Sequence, residues 1–255
     1  MDLNDFEKWV YHEYNINLSA YKSNQLHRRI QSLMSRVGAG SVDEYIQMLK
    51  KSPEQKQKFL DFITINVSEF FRNPELFDEL KNEIQFDLLP KNNNLNIWSA
   101  ACSIGAEPYS LAMMINSINS GGNHSILATD IDNTILEKAK KAEYIYSEIK
   151  NVRAEYLNKY FVKNDDKYFV IDKIKNMVTF KKHDLILDSY QSNFDLIVCR
   201  NVVIYFNQDI KEKIYQKFSN SLKKGGLLFV GATESIYNYK DYSFEKASTF
   251  IYKKI

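Results

Sequence analysis

Apolar residues between positions 3 and 80 recur every three or four residues, which is the spacing that one face of a helix requires. Phe6 with Val10 is one example, and Leu26, Ile30 and Leu33 form another. Few segments in this part of the chain alternate between apolar and polar residues as a strand would. The pattern therefore predicts an all-helical amino-terminal domain over residues 1–80.

After residues 92–94, which are all Asn, short β-prone runs alternate with helical stretches. Such alternation is typical of an α/β domain with a mainly parallel sheet, which we expect over residues 81–255. The strand-like runs are LNIWSA, SILATD, MVTFKKHD, FDLIVCR, GLLFVG and TFIYKK, and the helical stretches lie near residues 108–119, 134–142 and 209–222.

One segment interrupts this alternation. Residues 161–180 contain the turn signal Asn-Asp-Asp at 164–166 and short β-prone pieces, and they leave no room for a crossover helix. We therefore expect a small antiparallel β insert at about residues 161–180.

Composition and charge exclude several classes of protein. The 255 residues are 44% hydrophobic, and 34 basic against 32 acidic side chains leave a formal net charge of +2, so we expect a globular chain without a nucleic-acid partner. Cys102 and Cys199 lack metal-ligand spacing, which predicts buried thiols in a reducing cytoplasm and no metal site. The acidic amino terminus and the lack of an apolar run of about 18 residues predict a cytoplasmic protein without membrane insertion.

The run NIWSAACSIGAEPYSLAMMI, at residues 96–115, has the pattern strand, loop, helix. Ligands of open α/β sheets bind where such a loop leads into a helix, and the small residues at 100–103 would let a ligand approach the backbone. Only Gly105 in the loop is a glycine, so a GxGxxG dinucleotide site is disfavoured. On these residues alone, a tight connection without a ligand is equally compatible.

Acidic residues follow two other predicted strands. Asp130 could accept hydrogen bonds from ribose hydroxyls, although Asp130 or Asp132 could instead cap the helix that begins near residue 134. Asp184 could accept from an adenine amino group, or it could be a solvated loop acid. Acids at strand ends without a phosphate-binding lysine motif suit a ligand with an adenosine end and a cationic or zwitterionic end, such as S-adenosylmethionine (SAM).

Five motifs occur in order along the chain: NVSEFFRNPELF (66–77), IWSAACSIGAEPYSLAM (97–113), ATDID (128–132), FDLIVCRNVVIYF (194–206) and LKKGGLLFVGATES (222–235). In their order and spacing they closely resemble the chemotaxis receptor methyltransferases known as CheR. The resemblance implies a Rossmann-like, SAM-dependent methyltransferase domain with a three-stranded antiparallel insert, preceded by an all-helical domain. It also implies methyl transfer to chemoreceptor glutamates, which yields methyl esters and S-adenosylhomocysteine (SAH).

The resemblance also implies roles for individual residues. Arg72 and Tyr205 are the expected catalytic residues, although Arg72 could instead pair with Glu75 or Asp78, and Tyr205 could be a core aromatic. The first loop departs from the family's usual GCSTGEEPYS at Ala101, Ile104 and Ala106, while Glu107 is retained. The expected cofactor contacts are Asn66, Ser68, Arg72, Glu107, Asp130, Asp184, Leu185, Arg200 and Asn201.

The implied reaction needs no general base, because a glutamate with a pKa near about 4.3 is already ionised at neutral pH. We therefore interpret all of the chain's histidines as structural or surface residues. Charge is neutralised as a carboxylate attacks a sulfonium. A group that binds the anion strongly would therefore stabilise the ground state more than the transition state. Arg72 is accordingly expected to orient the carboxylate.

A basic stripe precedes the first cofactor motif. No acid occurs from residue 14 to residue 42, and Lys22, Arg29 and Arg36 are spaced by seven, which places them on one helix face. An ordinary solvated face is one explanation. Because the resemblance implies glutamate-rich receptor helices as partners, the stripe is also a candidate docking surface, and the β insert is a second candidate if a receptor tether is used. We expect a monomer.

Two other functions compete with this interpretation. A nucleic-acid amino-methyltransferase would share the α/β core but would carry a [DNS]PP[YF] element, and the corresponding run here, NVVIYF, lacks the prolines. A non-catalytic receptor-binding module would have lost active-site residues, whereas Arg72, Glu107, Asp130 and Tyr205 are all present.

Overall fold

The computed structural model describes residues 1–64 and 68–255. The chain divides into two compact units. The helical unit comprises Met1–Asn66 with Tyr205–Glu212, and the α/β unit comprises Val67–Ile204 with Lys213–Ile255. Within the described ranges, no helix combines the length and apolar character that crossing a membrane requires.

Short polar residues and a glycine set the ends of helices in the helical unit. Asp2 caps the first helix by accepting from the backbone N–H of Asp5, Ser41 caps the third in the same way, and Gly38 ends the second in a left-handed conformation. The apolar faces meet in one core that includes Phe6 and Phe59. The helices are α1 (Leu3–Tyr14), α2 (Ser23–Val37), α3 (Val42–Lys51) and α4 (Pro53–Thr64).

The segment 205–212 joins this unit through backbone hydrogen bonds. The N–H of Lys22 donates to the carbonyl of Tyr205 at 2.9 Å, and the N–H of Asn207 donates to the carbonyl of Ala20 at 2.8 Å. The Tyr21 and Phe206 rings meet edge to face at 5.0 Å. Tyr205 therefore belongs with the helices of the amino-terminal part of the chain, although it is far from them in sequence.

The α/β unit is built on a sheet of seven strands in the described residues, with the order β6-β2-β1-β7-β8-β10-β9. The first five in this order run parallel, as the alternating sequence pattern predicted, and β10 pairs antiparallel with both β8 and β9. The strands are β1 (Asn96–Ala100), β2 (Ser125–Asp130), β3 (Glu143–Ile145), β4 (Phe161–Asn164), β5 (Lys167–Val170), β6 (Val178–Lys182), β7 (Phe194–Cys199), β8 (Leu222–Val230), β9 (Phe244–Lys246) and β10 (Ile251–Lys254).

Helices connect these strands, and α6 is buried along most of its length. The helix α11 begins in the segment 205–212 and continues into the α/β unit. The helices are α5 (Pro74–Glu83), α6 (Ala106–Ile118), α7 (Asn133–Lys141), α8 (Tyr146–Ile149), α9 (Ala154–Tyr160), α10 (Asp172–Lys175) and α11 (Gln208–Ser221).

A small antiparallel sheet, β3-β5-β4, confirms the expected insert but differs from it in extent. It draws on 143–145 and 161–170, whereas β6 pairs in parallel with β2 in the large sheet. The short helix α10 turns the chain after β5, and its buried Ile174 anchors that turn. Residues 178–182 thereby reach the large sheet, so the insert ends before residue 180.

The two units divide at residue 66 rather than at the expected residue 80. The reason is α5, whose Leu76, Phe77 and Leu80 pack with Phe70 and Phe71 in the core of the α/β unit. Helical periodicity shows that a segment buries one face, but it does not show which core receives that face.

Candidate active site

The carboxyl ends of four adjacent parallel strands meet at one edge of the large sheet. The register places Ala100 beside Cys199 and Asp130 beside Lys182, so the loops after β1, β2, β6 and β7 lie next to one another. In open α/β sheets this edge is where ligands bind. Most of the residues expected to contact a cofactor lie in or beside these loops.

The loop after β1 has an unusual backbone that its neighbours hold in place. Ala101 and Ser103 have φ of 67° and 48°, which is left-handed for residues that carry a Cβ. The N–H of Cys102 donates to the carbonyl of Thr129 at 2.8 Å, and the N–H of Ser103 donates to Oδ2 of Asp130 at 2.8 Å. The end of β2 therefore fixes the shape of the loop after β1.

Gly105 ends this loop at the start of α6 and is the residue that the tight packing requires. Its φ is +86°, and a Cβ there would lie 3.0 Å from Cβ of Ala139 and 3.2 Å from the hydroxyl oxygen of Tyr144. That hydroxyl donates to the carbonyl of Ile104 at 2.8 Å, so its position is fixed as well. A side chain at residue 105 would thus need both strained backbone and displaced neighbours.

Asp130, the last residue of β2, and Asp132, just after the strand, have separate roles. Asp132 caps α7, because its Oδ1 accepts from the N–H of Thr134 at 2.8 Å. Asp130 instead accepts from the N–H groups of Ser103 and of Asp132, the latter at 3.1 Å. Burial raises the pKa of Asp130 to about 6, although backbone hydrogen bonds favour its ionised form. Each carboxylate oxygen can accept a further hydrogen bond from a ligand.

Glu107 lies in the first turn of α6, where the helix dipole favours a carboxylate. The hydroxyl of Ser99, on β1, donates to its Oε1 at 2.7 Å. Burial raises the pKa of Glu107, while the positive charges of Arg200 and Arg72 lower it in part. The structure thus brings Glu107, Arg72 and Arg200 close enough to interact through their charges.

Arg200 follows β7 and is buried. Its Nη2 donates to Oδ1 of Asn73 at 2.8 Å, and its guanidinium carbon lies 4.8 Å from the centre of the Phe229 ring. Burial lowers the pKa of Arg200, and the charge of Glu107 opposes that shift. Arg200 therefore links the end of β7 to the segment that contains Arg72.

The backbone on both sides of Arg72 is constrained. Phe71 and Asn73 have φ of 49° and 60°, and the N–H of Phe71 donates to the hydroxyl oxygen of Ser110 at 3.0 Å. Asp78, one of the acids considered as a partner for Arg72, pairs with Arg153 at 2.5 Å. Arg72 itself is half-buried.

Asp184 is a buried acid, and the idea of a solvated loop acid is wrong. Its Oδ1 accepts from the N–H groups of Ile186 at 2.7 Å and Leu187 at 3.2 Å. Its Oδ2 is buried and has no hydrogen-bond partner within residues 1–64 and 68–255. An orphaned carboxylate oxygen at this edge fits the amino group of an adenine. The adjacent Leu185 is buried, and its carbonyl accepts from the Tyr190 hydroxyl at 2.6 Å.

Three further residues are expected to contact the cofactor. Asn201 has a left-handed backbone with φ of 61°, and its N–H donates to Oε2 of Glu234 at 2.7 Å. Ser68 is half-buried at the start of the described part of its segment. Asn66 lies outside the described residues.

Tyr205, the other expected catalytic residue, lies in the helical unit and is half-buried there. It lines a cavity of about 410 Å³ together with Tyr21, Lys22, Arg29 and Phe62. The remaining lining residues are Gln25, Leu26, Arg28, Ser32 and Ile63. The cavity is therefore lined by cationic, phenolic and apolar side chains.

The basic stripe is only partly solvated. Lys22 and Arg36 are exposed, but Arg29 is half-buried, and its Nη2 donates to the carbonyl of Phe62. The Phe62 ring lies under the guanidinium groups of both Arg29 and Arg36, with distances of 4.7 and 5.7 Å to the ring centre. Arg29 therefore ties α2 to α4 in addition to any role in docking.

Both cysteines are free and buried, as predicted, and burial raises the pKa of each thiol. His124 is a buried structural residue whose Nδ1 accepts from the N–H of Leu95 at 3.2 Å, and His183 packs against Trp98. In the described ranges no cluster of His, Cys, Asp and Glu could hold a metal ion.

Four residues that position the site were not singled out from the sequence. They are Ser99 beneath Glu107, Ser110 beside Phe71, Asn73 beside Arg200 and Glu234 beside Asn201. Each forms a hydrogen bond with a residue at least eight positions away in sequence, so only the folded structure reveals the pairing. All four fall within the family motifs, but nothing in those motifs indicates their partners.

Comparison with known proteins gives consistent matches along the chain. The family model described as "CheR methyltransferase, all-alpha domain" matches residues 1–64, and "CheR methyltransferase, SAM binding domain" matches residues 66–251. Among solved structures, a TehB-like SAM-dependent methyltransferase from Corynebacterium glutamicum is 14% identical with a TM-score of 0.41, covering 80% of this chain and 96% of that one.

Two relatives are similar over almost their whole length. A chemotaxis protein methyltransferase of Listeria monocytogenes is 39% identical over 250 residues, which are 98% of this chain and 95% of that protein. One of Borreliella burgdorferi is 36% identical over 268 residues, covering 98% of this chain and 93% of that protein. With both family models matched in order, the chain belongs to the CheR methyltransferase family.

Proposed function

We propose that this SAM-dependent methyltransferase transfers methyl groups to glutamate side chains of chemoreceptors, forming methyl esters and SAH. The observation that carries the proposal is the set of three carboxylates at the carboxyl edge of the sheet, of which Asp130 and Asp184 are buried and Glu107 is half-buried. Asp130 and Asp184 follow adjacent strands, and Glu107 begins the helix after the next strand. The named relatives are chemotaxis protein methyltransferases, which supports the choice of substrate.

The arrangement suits the separate parts of SAM. Oδ2 of Asp184 would accept from the adenine amino group, and Asp130 would accept from the ribose hydroxyls. Glu107 with the guanidinium groups of Arg72 and Arg200 forms a cluster of mixed charge, which suits a zwitterionic amino acid group. The remaining proposed contacts are Asn66, Ser68, Leu185 and Asn201.

Bound SAM supplies an electrophilic methyl group on a sulfonium. A receptor carboxylate oxygen forms the new bond to the methyl carbon as the carbon–sulfur bond breaks, and the electron pair stays on sulfur to give SAH. No proton moves, so the protein's task is alignment, which can supply about 7–11 kcal/mol of barrier lowering.

Arg72 is the proposed orienting group for the receptor carboxylate. A guanidinium can hold a carboxylate in a fixed geometry, and the constrained backbone at Phe71 and Asn73 fixes where this side chain starts. A proposed hydrogen bond from the Tyr205 phenol to the substrate carboxylate rests on the family resemblance. Lys22 and Arg29 line the same cavity as Tyr205 in the helical unit, and their positive charges favour binding of an anionic group there.

The proposed partner is a glutamate-bearing receptor helix that docks along Lys22, Arg29 and Arg36. Support comes from the exposure of Lys22 and Arg36 and from the lack of any acid between residues 14 and 42. We propose that the protein acts as a monomer in the cytoplasm, where the receptor's methylation helices would meet it.

The test is transfer of labelled methyl groups from SAM to membranes that contain chemoreceptors. Label that appears on receptor protein and is released by mild alkali would establish a carboxyl methyl ester. SAH binding, measured by calorimetry, is the parallel control. Binding without receptor labelling would contradict the proposed substrate, and failure to bind either SAM or SAH would contradict the proposed site.

A further inference from the structure

Glu234 is a buried carboxylate that contacts the loop after β7 through backbone groups. Its Oε2 accepts from the N–H of Asn201 at 2.7 Å and from the N–H of Gly231 at 2.8 Å. Its Oε1 accepts from the N–H of Ile204 at 3.3 Å. The side chain is only 5% exposed, so these donors replace water as the partners of the carboxylate.

The loop that Glu234 holds carries residues of the proposed site. It begins at Arg200 and Asn201, continues through the short 3-10 helix Val203–Tyr205, and so leads to the expected catalytic tyrosine. The left-handed backbone of Asn201 is uncommon for a residue with a Cβ and persists only when its surroundings hold it. The bond from its own N–H to Glu234 is such a restraint.

We propose that Glu234 is a positioning residue, which keeps the loop 200–204 in the conformation that binds SAM. It is not a catalytic residue, since it acts through the backbone of Asn201 and Ile204. Its negative charge also favours the ionised form of the buried Arg200. This inference rests on the proposed cofactor roles of Arg200 and Asn201.

Geometry dictates which variants test this role. In Glu234→Gln an amide NH₂ replaces one of two oxygens that both accept hydrogen bonds, so at least one backbone donor loses its partner. Gly231→Ala leaves Glu234 chemically intact but places a Cβ 2.4 Å from its Oε2 and 3.0 Å from the Asn201 nitrogen. The two variants thus disturb the same contact by different means.

Asp195→Asn is the matched control. Asp195 is also a buried carboxylate of the α/β unit, and it accepts from the N–H of Asn96 at 2.8 Å. It lies near the beginning of β7, at the opposite end of the strand from the loop 200–204. Its substitution should lower the melting temperature without touching the proposed cofactor site.

The experiment is SAH titration of the full chain by calorimetry, together with KM for SAM, KM for receptor and kcat. Glu234→Gln and Gly231→Ala should each raise the Kd for SAH and the KM for SAM at least about tenfold, with KM for receptor nearly unchanged. Their double variant should be little worse than either alone, because both act on one contact. Asp195→Asn should leave the Kd within about twofold of wild type.

Unchanged SAH affinity in folded Glu234→Gln and Gly231→Ala proteins would overturn the proposal, and so would an equal loss of affinity in Asp195→Asn. If neither test variant folds, Glu234 is a requirement for folding and the positioning role is rejected. Failure of the wild-type protein to bind SAH would instead contradict the proposed function.

Discussion

Asp130 accepts a 2.8 Å hydrogen bond from the backbone N–H of Ser103, which joins the end of β2 to the loop after β1. The bond holds Ser103 in a left-handed conformation with φ of 48°. One carboxylate thereby shapes the loop and faces the edge where a ribose would bind. A loop held in this way needs little reordering to bind a ligand, which would reduce the ordering cost of binding at the proposed site.

The first prediction concerns the pH dependence of SAH binding. Burial raises the pKa of Asp130 to about 6 in the ligand-free protein. In the proposed site ribose hydroxyls would donate to the ionised carboxylate, so binding would favour ionisation, and affinity should rise with pH through about 6 and then level off. Calorimetry from about pH 5 to about pH 8 measures this dependence.

Asp130→Asn is the variant for that experiment, because it removes the titrating group at nearly constant size. It should bind SAH at least about tenfold more weakly at neutral pH and should lose the step near pH 6. Affinity that falls with rising pH in the wild-type protein would contradict the role of Asp130.

The second prediction concerns stability. Gly105→Ala should lower the free energy of unfolding by about 2 kcal/mol or more, because Gly105 has φ of +86° and a Cβ there would press on Ala139 and Tyr144. Gly121→Ala is the control, since a Cβ at that position meets nothing within 4 Å. Urea denaturation of both variants gives the comparison, and an equal effect at the two sites would refute the packing argument.

Much of the α/β fold could be predicted from the sequence because apolar strand runs and amphipathic helices alternate there. The cap at Asp132 also follows a local rule, since a carboxylate two residues before a helical N–H is a common cap. Because the strands are parallel, the loops at their carboxyl ends are expected at one edge of the sheet. Local patterns therefore located the edge where the proposed site lies.

Contacts between distant segments could not be predicted in this way. The side chains of α5 have the same periodicity as those of α4, and only the fold shows that Phe77 enters the α/β core. Asp130 could be foreseen as a possible hydrogen-bond acceptor, but not its bond to Ser103, because that bond spans 27 residues. The same holds for Glu234 and Asn201, whose contact spans 33 residues.

The third prediction concerns docking of the receptor. Reversing Lys22 and Arg36 to Glu should lower kcat/KM for receptor about tenfold at low salt and less at high salt, because the interaction is between exposed charges. Arg29 is left intact, since it also binds the Phe62 carbonyl and its loss would affect folding.

The control for this test reverses Lys50 and Lys51 to Glu, which changes the charge equally on the exposed end of α3. Both double variants should bind SAH as the wild-type protein does. Receptor kinetics that respond equally to the two reversals would show a general effect of net charge and would remove Lys22 and Arg36 from the docking surface.

The most direct measurement is the rate of methyl transfer to receptor by Arg72→Ala at saturating SAM, with Arg153→Ala as the matched control. Arg153 is a half-exposed arginine of the same unit that pairs with Asp78. If Arg72 orients the carboxylate, its removal should slow transfer at least about 100-fold in a folded protein, whereas Arg153→Ala should stay near wild type. Near-normal transfer by a folded Arg72→Ala protein would contradict the proposed mechanism.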